Sequence, residues 1–326
     1  MYRASPDRHV SLARSDLAQL HEEFLSEQRF SARLSGATLR GYRQTFALLA
    51  SLMPQMSTQQ LTPAAMTEFF RRLETRSRMV GRGKNRLGVR SSTIATYRSK
   101  LNRFFEWLKG REMIRSNPFD GMPYPRVEYL DRKYLDKASV ERIFAALVLS
   151  APWRSRLLRT RNLALFSTLL YTGVRKGELL ALRLTDVDLD HMQLTIRAET
   201  SKSRLRRVVP LNSKLIMALE DYVDQRRTLP LQSEYLFVGA SGRSPLTAEG
   251  LKHLVEQVKC ISGVSFHLHQ FRHTFAVNLL NRGADVAKLK QLLGHRDIRM
   301  TSAYLRCLPS NAMLNDIEGI TLDTLL

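Results

Sequence analysis

The sequence predicts a mainly α-helical protein with one small β-sheet, an α+β chain built as a helical bundle followed by a mixed, mostly helical domain. Three observations predict it. Apolar residues recur at helical spacing through most of the 326 residues. A stretch broken by proline and glycine, "SNPFDGMPYPRVEYLDRKYLDKAS" (116–139), interrupts that pattern. One pair of segments, "MQLTIRA" and "RRVVPL", alternates as half-buried strands do. The length suits two ordinary domains. We expect a helical domain over 1–117, a linker over 118–134 and a second domain over 135–326 that ends in a tail from 305.

In the first domain, Leu12, Leu17, Leu20 and Phe24 give residues 12–29 an apolar helical face. A second helix is expected over 37–53. A third follows "LTPAAMTEFFRRLE", where Thr62 can cap and Pro63 sits in the first turn. A fourth is "SSTIATYRSKLNRFFEWLKGR", with Ser91 or Ser92 as cap. Between the third and fourth, residues 71–90 carry eight Lys or Arg and one acid, Glu74. Gly81, Gly83 and Gly88 make the second half of this stretch loop-like.

In the second domain a helix restarts over 135–147, with Ser139 as its expected cap. Residues 159–171 form an apolar helix ended by Thr172 and Gly173, and "RKGELLALR" forms a short one. Residues 192–211 read as a hairpin with "ETSKSRL" as its loop. Helices follow over 213–227, 247–258, 269–282, 285–293 and 297–306. Gly283 and Gly294 stand where left-handed caps are needed.

Charge narrows the function. Lys and Arg total 51 against 30 Asp and Glu, a formal +21. A field of that sign attracts a polyanion, with nucleic acid first. Two cysteines make no disulfide framework, and neither a signal peptide nor a membrane-length apolar run is present. A reducing cytoplasmic location is expected. The basic run and the helix after it supply candidate phosphate contacts: Arg71, Arg72, Arg76, Arg78, Arg82, Lys84, Arg86, Arg90, Arg98 and Lys100.

Three short stretches could carry chemistry. In "SFHLHQFRHTFAVNLLNRG", His269 and Arg272 are three apart at the start of a helix, where both can grip an anion. His269 and His273 are four apart, a zinc spacing, but Gln270 stands where a metalloprotease needs Glu. A capping histidine beside a surface arginine explains these residues better when they are taken alone. In "TGVRKGELLALRL", Arg175 follows a glycine turn and Glu178 could hold its guanidinium. In "LLGHRDIRMTSAY", His295 follows a helix end and Tyr304 comes nine residues later among small and polar neighbours.

Together these stretches resemble the tyrosine recombinase family of Xer recombinases and phage integrases. The likeness runs from "YLDKASVERIF" to Tyr304. It rests on "TGVRKGELLAL", a hairpin lysine before "RRVVPL", "HQFRHTFAVNLLNRGAD", "LLGHRDI" and the tyrosine after it, all in one order. The resemblance implies a SAM-like, core-binding helical domain and a catalytic domain. It implies Arg175 and Arg272 as the phosphate clamp, His269 and His295 as partners, Tyr304 as nucleophile and Lys202 as the hairpin acid. The family often has glycines around that lysine where this chain reads "ETSKSRL", so Arg204 could share the role. The implied reaction is site-specific recombination through a 3′-phosphotyrosyl link, without cofactor or metal. It serves integration, excision or resolution of a mobile element or replicon. The implied partner is a double-stranded DNA site, held by a homotetramer on two sites, with a monomer as the free form. The alternatives are a type IB topoisomerase-like relaxing enzyme, an inactive DNA-binding relative and a zinc hydrolase.

Overall fold

The computed structural model describes residues 17–80, 83–125, 134–150, 153–229 and 233–308. The chain forms two compact units, Met1–Tyr129 and Leu130–Leu326.

The first unit is built on α1 (Leu17–Phe30), α2 (Gly36–Leu52), α3 (Pro63–Thr75) and α4 (Ser91–Gly110). Residues 12–16 of the expected first helix lie outside the described residues. Phe24, Met66, Phe69, Leu73, Phe104, Phe105 and Leu108 are sealed in one core. Each large apolar side chain so buried contributes roughly 1.5–3 kcal/mol. Thr62 caps α3 by accepting from the Ala65 amide, with Pro63 at the first position. Helix α4 starts at Ser91 on the Arg90 backbone, with no side-chain cap from either serine.

Two expectations change here. The stretch after α3 is a β-hairpin and not a loop: β1 (Ser77–Val80) pairs antiparallel with β2 (Lys84–Leu87). Its base is closed by the Gly88 amide donating to the Arg76 carbonyl at 2.9 Å. Gly88 has φ +63, and a Cβ there would lie 2.4 Å from the Glu74 carbonyl oxygen, so no other residue fits. The expected linker also starts as packed chain. Phe119 is buried among the helices, and the Arg98 guanidinium donates to the Met122 and Pro123 carbonyls. Residues 126–133 of that linker lie outside the described residues.

The second unit runs α5 (Lys137–Ala145), α6 (Arg156–Thr172), α7 (Lys176–Leu180), β3 (Val187–Asp188), β4 (Gln193–Ile196) and β5 (Arg207–Pro210). It continues with α8 (Ser213–Arg227), α9 (Ala248–Ser262), α10 (Leu268–Leu280), α11 (Val286–Leu293) and α12 (Arg299–Ser302). Asp136, and not Ser139, caps α5 by accepting from the Ser139 amide. The strands form one antiparallel sheet in the order β3-β4-β5. Leu194 faces Val209 across it, and both point into the core with Ile196.

Helix α6 is buried on most of its circumference and is the axis of this unit. Phe166 on α6 packs edge-on against Phe271 of α10. The C-terminal segment is broken where one helix is expected over 297–306. It is one turn of α12 followed by a 3-10 turn, Leu305–Cys307. Among the described residues no helix is long and apolar enough to cross a membrane.

Candidate active site

The ends of α6, α10 and α11 meet, and each delivers part of the site. Helix α6 stops at Gly173 (φ +61), where a Cβ would lie 2.5 Å from the Phe275 ring. The turn that glycine allows places Arg175 at the cap of α7. Its Nη1 donates to Glu178 Oε1 at 2.8 Å, and its Nη2 reaches the Gly294 carbonyl at 3.4 Å. Helix α11 stops at Gly294 (φ +63), so its last carbonyls point toward the same place.

Arg272 is 1% exposed, carried inward because α10 is buried on both sides of it. Its guanidinium donates to the Gly173 carbonyl at 2.8 Å and to the Leu293 carbonyl at 2.7 Å. The two arginines therefore hold neighbouring carbonyls of one helix end, although 97 positions separate them (272 − 175). Burial first, and the Arg175 charge second, push the Arg272 guanidinium down to about 9, still charged at neutral pH.

Glu178 holds the cluster together. It is 1% exposed. Burial alone would raise its pKa, but hydrogen bonds and charge from Arg207, then Arg175, hold it at about 2. Arg207 meets it at 2.6 Å and also donates to the Leu292 carbonyl. In the sequence Arg207 is merely the second arginine of "RRVVPL", with nothing to mark it. Its inward side chain depends on the strand register. Two guanidiniums thus meet one carboxylate, and the Arg272 charge stands near it, an excess of positive charge in a confined place.

His295 is buried beside Arg272, with Nε2 2.9 Å from the guanidinium and Nδ1 2.9 Å from the Thr301 hydroxyl. Arginine can only donate, so Nε2 accepts and Nδ1 carries the proton. The His295 ring lies parallel to Tyr304, 6.5 Å between centroids.

Tyr304 corrects an expectation. Its small and polar sequence neighbours suggest that it is not a core aromatic. Its side chain is instead fully buried with Phe275, Val277, Leu280, Leu289 and Leu293. Thr301 and Ser302 turn the short helix so that the ring faces inward against α10 and α11. The hydroxyl sits 3.0 Å from His273 Nδ1. In the sequence His273 reads only as half of a zinc pair. Its place one turn along α10 from His269 is the signal for more. Among the described residues no group of three His, Cys, Asp or Glu side chains could hold a metal ion.

The remaining residues fall around this cluster. His269 is exposed at the start of α10, its ring 4.5 Å from that of His273. Lys202 is exposed in the turn between β4 and β5. Its two neighbours are buried and fixed. Ser201 donates to Glu178 Oε1 at 3.2 Å and lies 2.8 Å from the Ser203 hydroxyl, while Arg296 donates to the Ser203 carbonyl. The lysine turn is therefore tied to the arginine cluster. Arg204 adopts φ +54, a left-handed conformation that ends this turn.

The expected phosphate contacts separate into groups. Arg71 and Arg72 are exposed but both pair with Glu68, at 2.6 and 2.7 Å. Arg98 is 7% exposed, clamped on carbonyls and stacked on Phe119 and Tyr124. Lys100 is half-buried and donates to the Gly41 carbonyl. Arg76 and Arg78 are half-buried, and Lys84, Arg86 and Arg90 are exposed. Arg82 lies outside the described residues.

Known proteins resemble this chain. Residues 133–310 match the phage integrase family. The tyrosine recombinase XerC of Bacillus licheniformis is 34% identical over 224 residues, 67% of this chain and 71% of that protein. The XerC of Shewanella amazonensis is 27% identical over 89% of this chain and 92% of its own. Among solved structures, the XerH site-specific recombinase bound to a difH substrate aligns with TM-score 0.71 and 19% identity, over 92% of this chain and 83% of that one. The Tn1549 transposon integrase in complex with transposon right end DNA aligns with TM-score 0.72 and 19% identity, over 93% of this chain and 98% of that one. At those identities the structures show a shared fold. With the family match covering more than half of the chain, the protein belongs to the phage integrase family as a tyrosine recombinase of the Xer type, an enzyme that cleaves and rejoins DNA at specific sites.

Proposed function

We propose that the chain recombines duplex DNA through a 3′-phosphotyrosyl link formed by Tyr304. The observation that carries this reading is the convergence of Arg175 and Arg272 on the adjoining carbonyls of Gly294 and Leu293, with His295 and Tyr304 alongside. In this reading the guanidiniums clamp the non-bridging oxygens of the scissile phosphate, for which their planar forks suit better than lysine. Tyr304 Oη attacks phosphorus, the P–O5′ bond breaks and a 5′-hydroxyl leaves. The phenol proton passes to a histidine, His269 or the nearer His273, and Lys202 protonates the leaving oxygen. A partner strand's 5′-hydroxyl then attacks the phosphotyrosine and restores Tyr304. The bond energy is retained in the link, so no nucleotide cofactor is needed.

The buried phenol adds a condition. Its hydroxyl rests on His273 and its ring in the core, so the α12 segment has to shift before attack. Among the described residues its segment is one helical turn and a 3-10 turn, the low-stability kind of element that opens readily.

The assembled form in this reading is a homotetramer holding two DNA sites, working in the cytoplasm on a mobile element or replicon. An apolar cavity of about 670 Å³, lined by Leu135, Val140, Tyr171, Phe275 and Leu279 among others, offers a seat for the leucine-rich tail of a neighbouring copy. Residues 309–326 of that tail lie outside the described residues. A chain truncated after Pro309 is expected to lose synaptic assembly. Full assembly by that chain would place the tail elsewhere.

The test of the function is trapping on nicked suicide duplexes taken from the gene's own neighbourhood. A denaturant-resistant protein–DNA adduct is expected in the presence of chelator and absent in Tyr304→Phe. An adduct that survives in that variant removes Tyr304 from its role.

A further inference from the structure

The hairpin of β1 and β2 is the feature of the first unit that the helical bundle does not require. Its register sets Arg78 directly opposite Arg86, and Val80 opposite Lys84, so the three cationic residues share one face. Ser77, Met79, Asn85 and Leu87 make the other. Met79 is 76% and Leu87 77% exposed, so this second face is uncovered as well. A two-stranded ribbon with no partner sheet is marginal in water, and like charges placed opposite one another weaken it further.

The charges on this ribbon also differ from those just before it. Glu68 neutralises Arg71 and Arg72. Among the described residues no carboxylate pairs with Arg78, Lys84 or Arg86. Among the described residues Arg78 commits only its Nε, to the Gly88 carbonyl at 2.7 Å, which stiffens the base and leaves its terminal nitrogens for another acceptor. An anion between the two opposed guanidiniums relieves their repulsion and steadies the ribbon.

We infer that the hairpin is a DNA-contacting arm whose Arg78–Lys84–Arg86 face lies on the phosphate backbone of the duplex and extends the footprint of the first unit. The inference rests on the DNA-acting reading above and adds where and how the arm engages. Duplex DNA is the occupant because the face is cationic along its length and the enzyme already binds that polymer.

Binding is the test, read without cleavage, so that its outcome does not depend on whether Tyr304 forms an adduct. Two variants of the full chain are used. One carries Arg78→Ala, Lys84→Ala and Arg86→Ala. The other replaces 77–87 by a short turn, which the Gly88–Arg76 hydrogen bond makes geometrically possible. Affinity for a duplex bearing the recombination site is measured across a salt series, with a backbone footprint at saturation. Every phosphate that is no longer neutralised lowers the slope of log K against log salt by about 0.9, so the first variant is expected to fall by about 3 in slope. Both variants are expected to lose protection at one edge of the footprint. Unchanged slope and footprint in the triple variant overturn the inference. If instead duplex binding is intact and only pairing of two protected duplexes fails, the hairpin touches a second copy of the chain and the inference also falls.

Discussion

At the residue scale the site is governed by Glu178. Removing its charge leaves Arg207 and Arg175 facing each other without a counter-ion, the expensive way to break a buried pair. Glu178→Gln is expected to cost about 3–5 kcal/mol, seen as a fall in melting temperature with the fold otherwise retained. The same group gives an acid limit. Its pKa of about 2 lies below the ordinary carboxylate value of 4.5. Its contribution, roughly 3 kcal/mol from that difference, is therefore present above about pH 4.5 and lost as pH falls toward 2. A urea titration at stepped pH reads this directly, and Glu178→Gln should flatten that part of the profile. Much of this is legible in the sequence. Arg175, Glu178, Arg272 and His295 stand out by motif, and the structure brings them together. Arg207 and His273 do not, because their partners lie 29 and 31 positions away and meet them only after strand pairing and helix packing.

At the element scale, helix ends do the positioning. Gly294 ends α11 in a left-handed conformation, and a Cβ there would lie 3.0 Å from Arg207 Nη1. Gly294→Ala is expected to cost roughly 1–2 kcal/mol from the backbone alone. It should also reduce cleavage more than its loss of stability explains, because the carbonyl that meets Arg175 moves. The short α12 segment makes a different prediction. Tyr304 in the free protein should resist phenol nitration and become reactive on binding a duplex. His273→Ala removes one hydrogen bond of about 1 kcal/mol, so Tyr304 should nitrate about fivefold faster in the free protein. Equal rates would mean that the hydroxyl contact does not hold the segment. The long helices are readable from apolar spacing because each carries its own signal. The hairpin over 77–87 is not: its glycines read as loop, and its pairing depends on the Gly88 turn against Glu74.

At the scale of the whole molecule, the charge of +21 leads to a steep dependence of DNA binding on salt. Affinity for a site-bearing duplex should fall by several orders of magnitude between about 50 and 200 mM salt if six or more phosphates are engaged, about 10³-fold at the lower end. A shallow dependence would mean that most of the basic residues serve the fold, as Arg98 does. Charge and motif order make the class of enzyme legible, while the resting burial of Tyr304 is hidden because its neighbours in sequence are not its neighbours in space. The central claim is that this tyrosine takes the phosphorus that Arg175 and Arg272 hold. Protease digestion of the trapped adduct, followed by mass spectrometry, tests it most directly. The expected product is the cleaved strand joined through its 3′-phosphate to the Tyr304 peptide, and absent in Arg272→Ala. A nucleotide found on any other residue, or joined through its 5′ end, would contradict it.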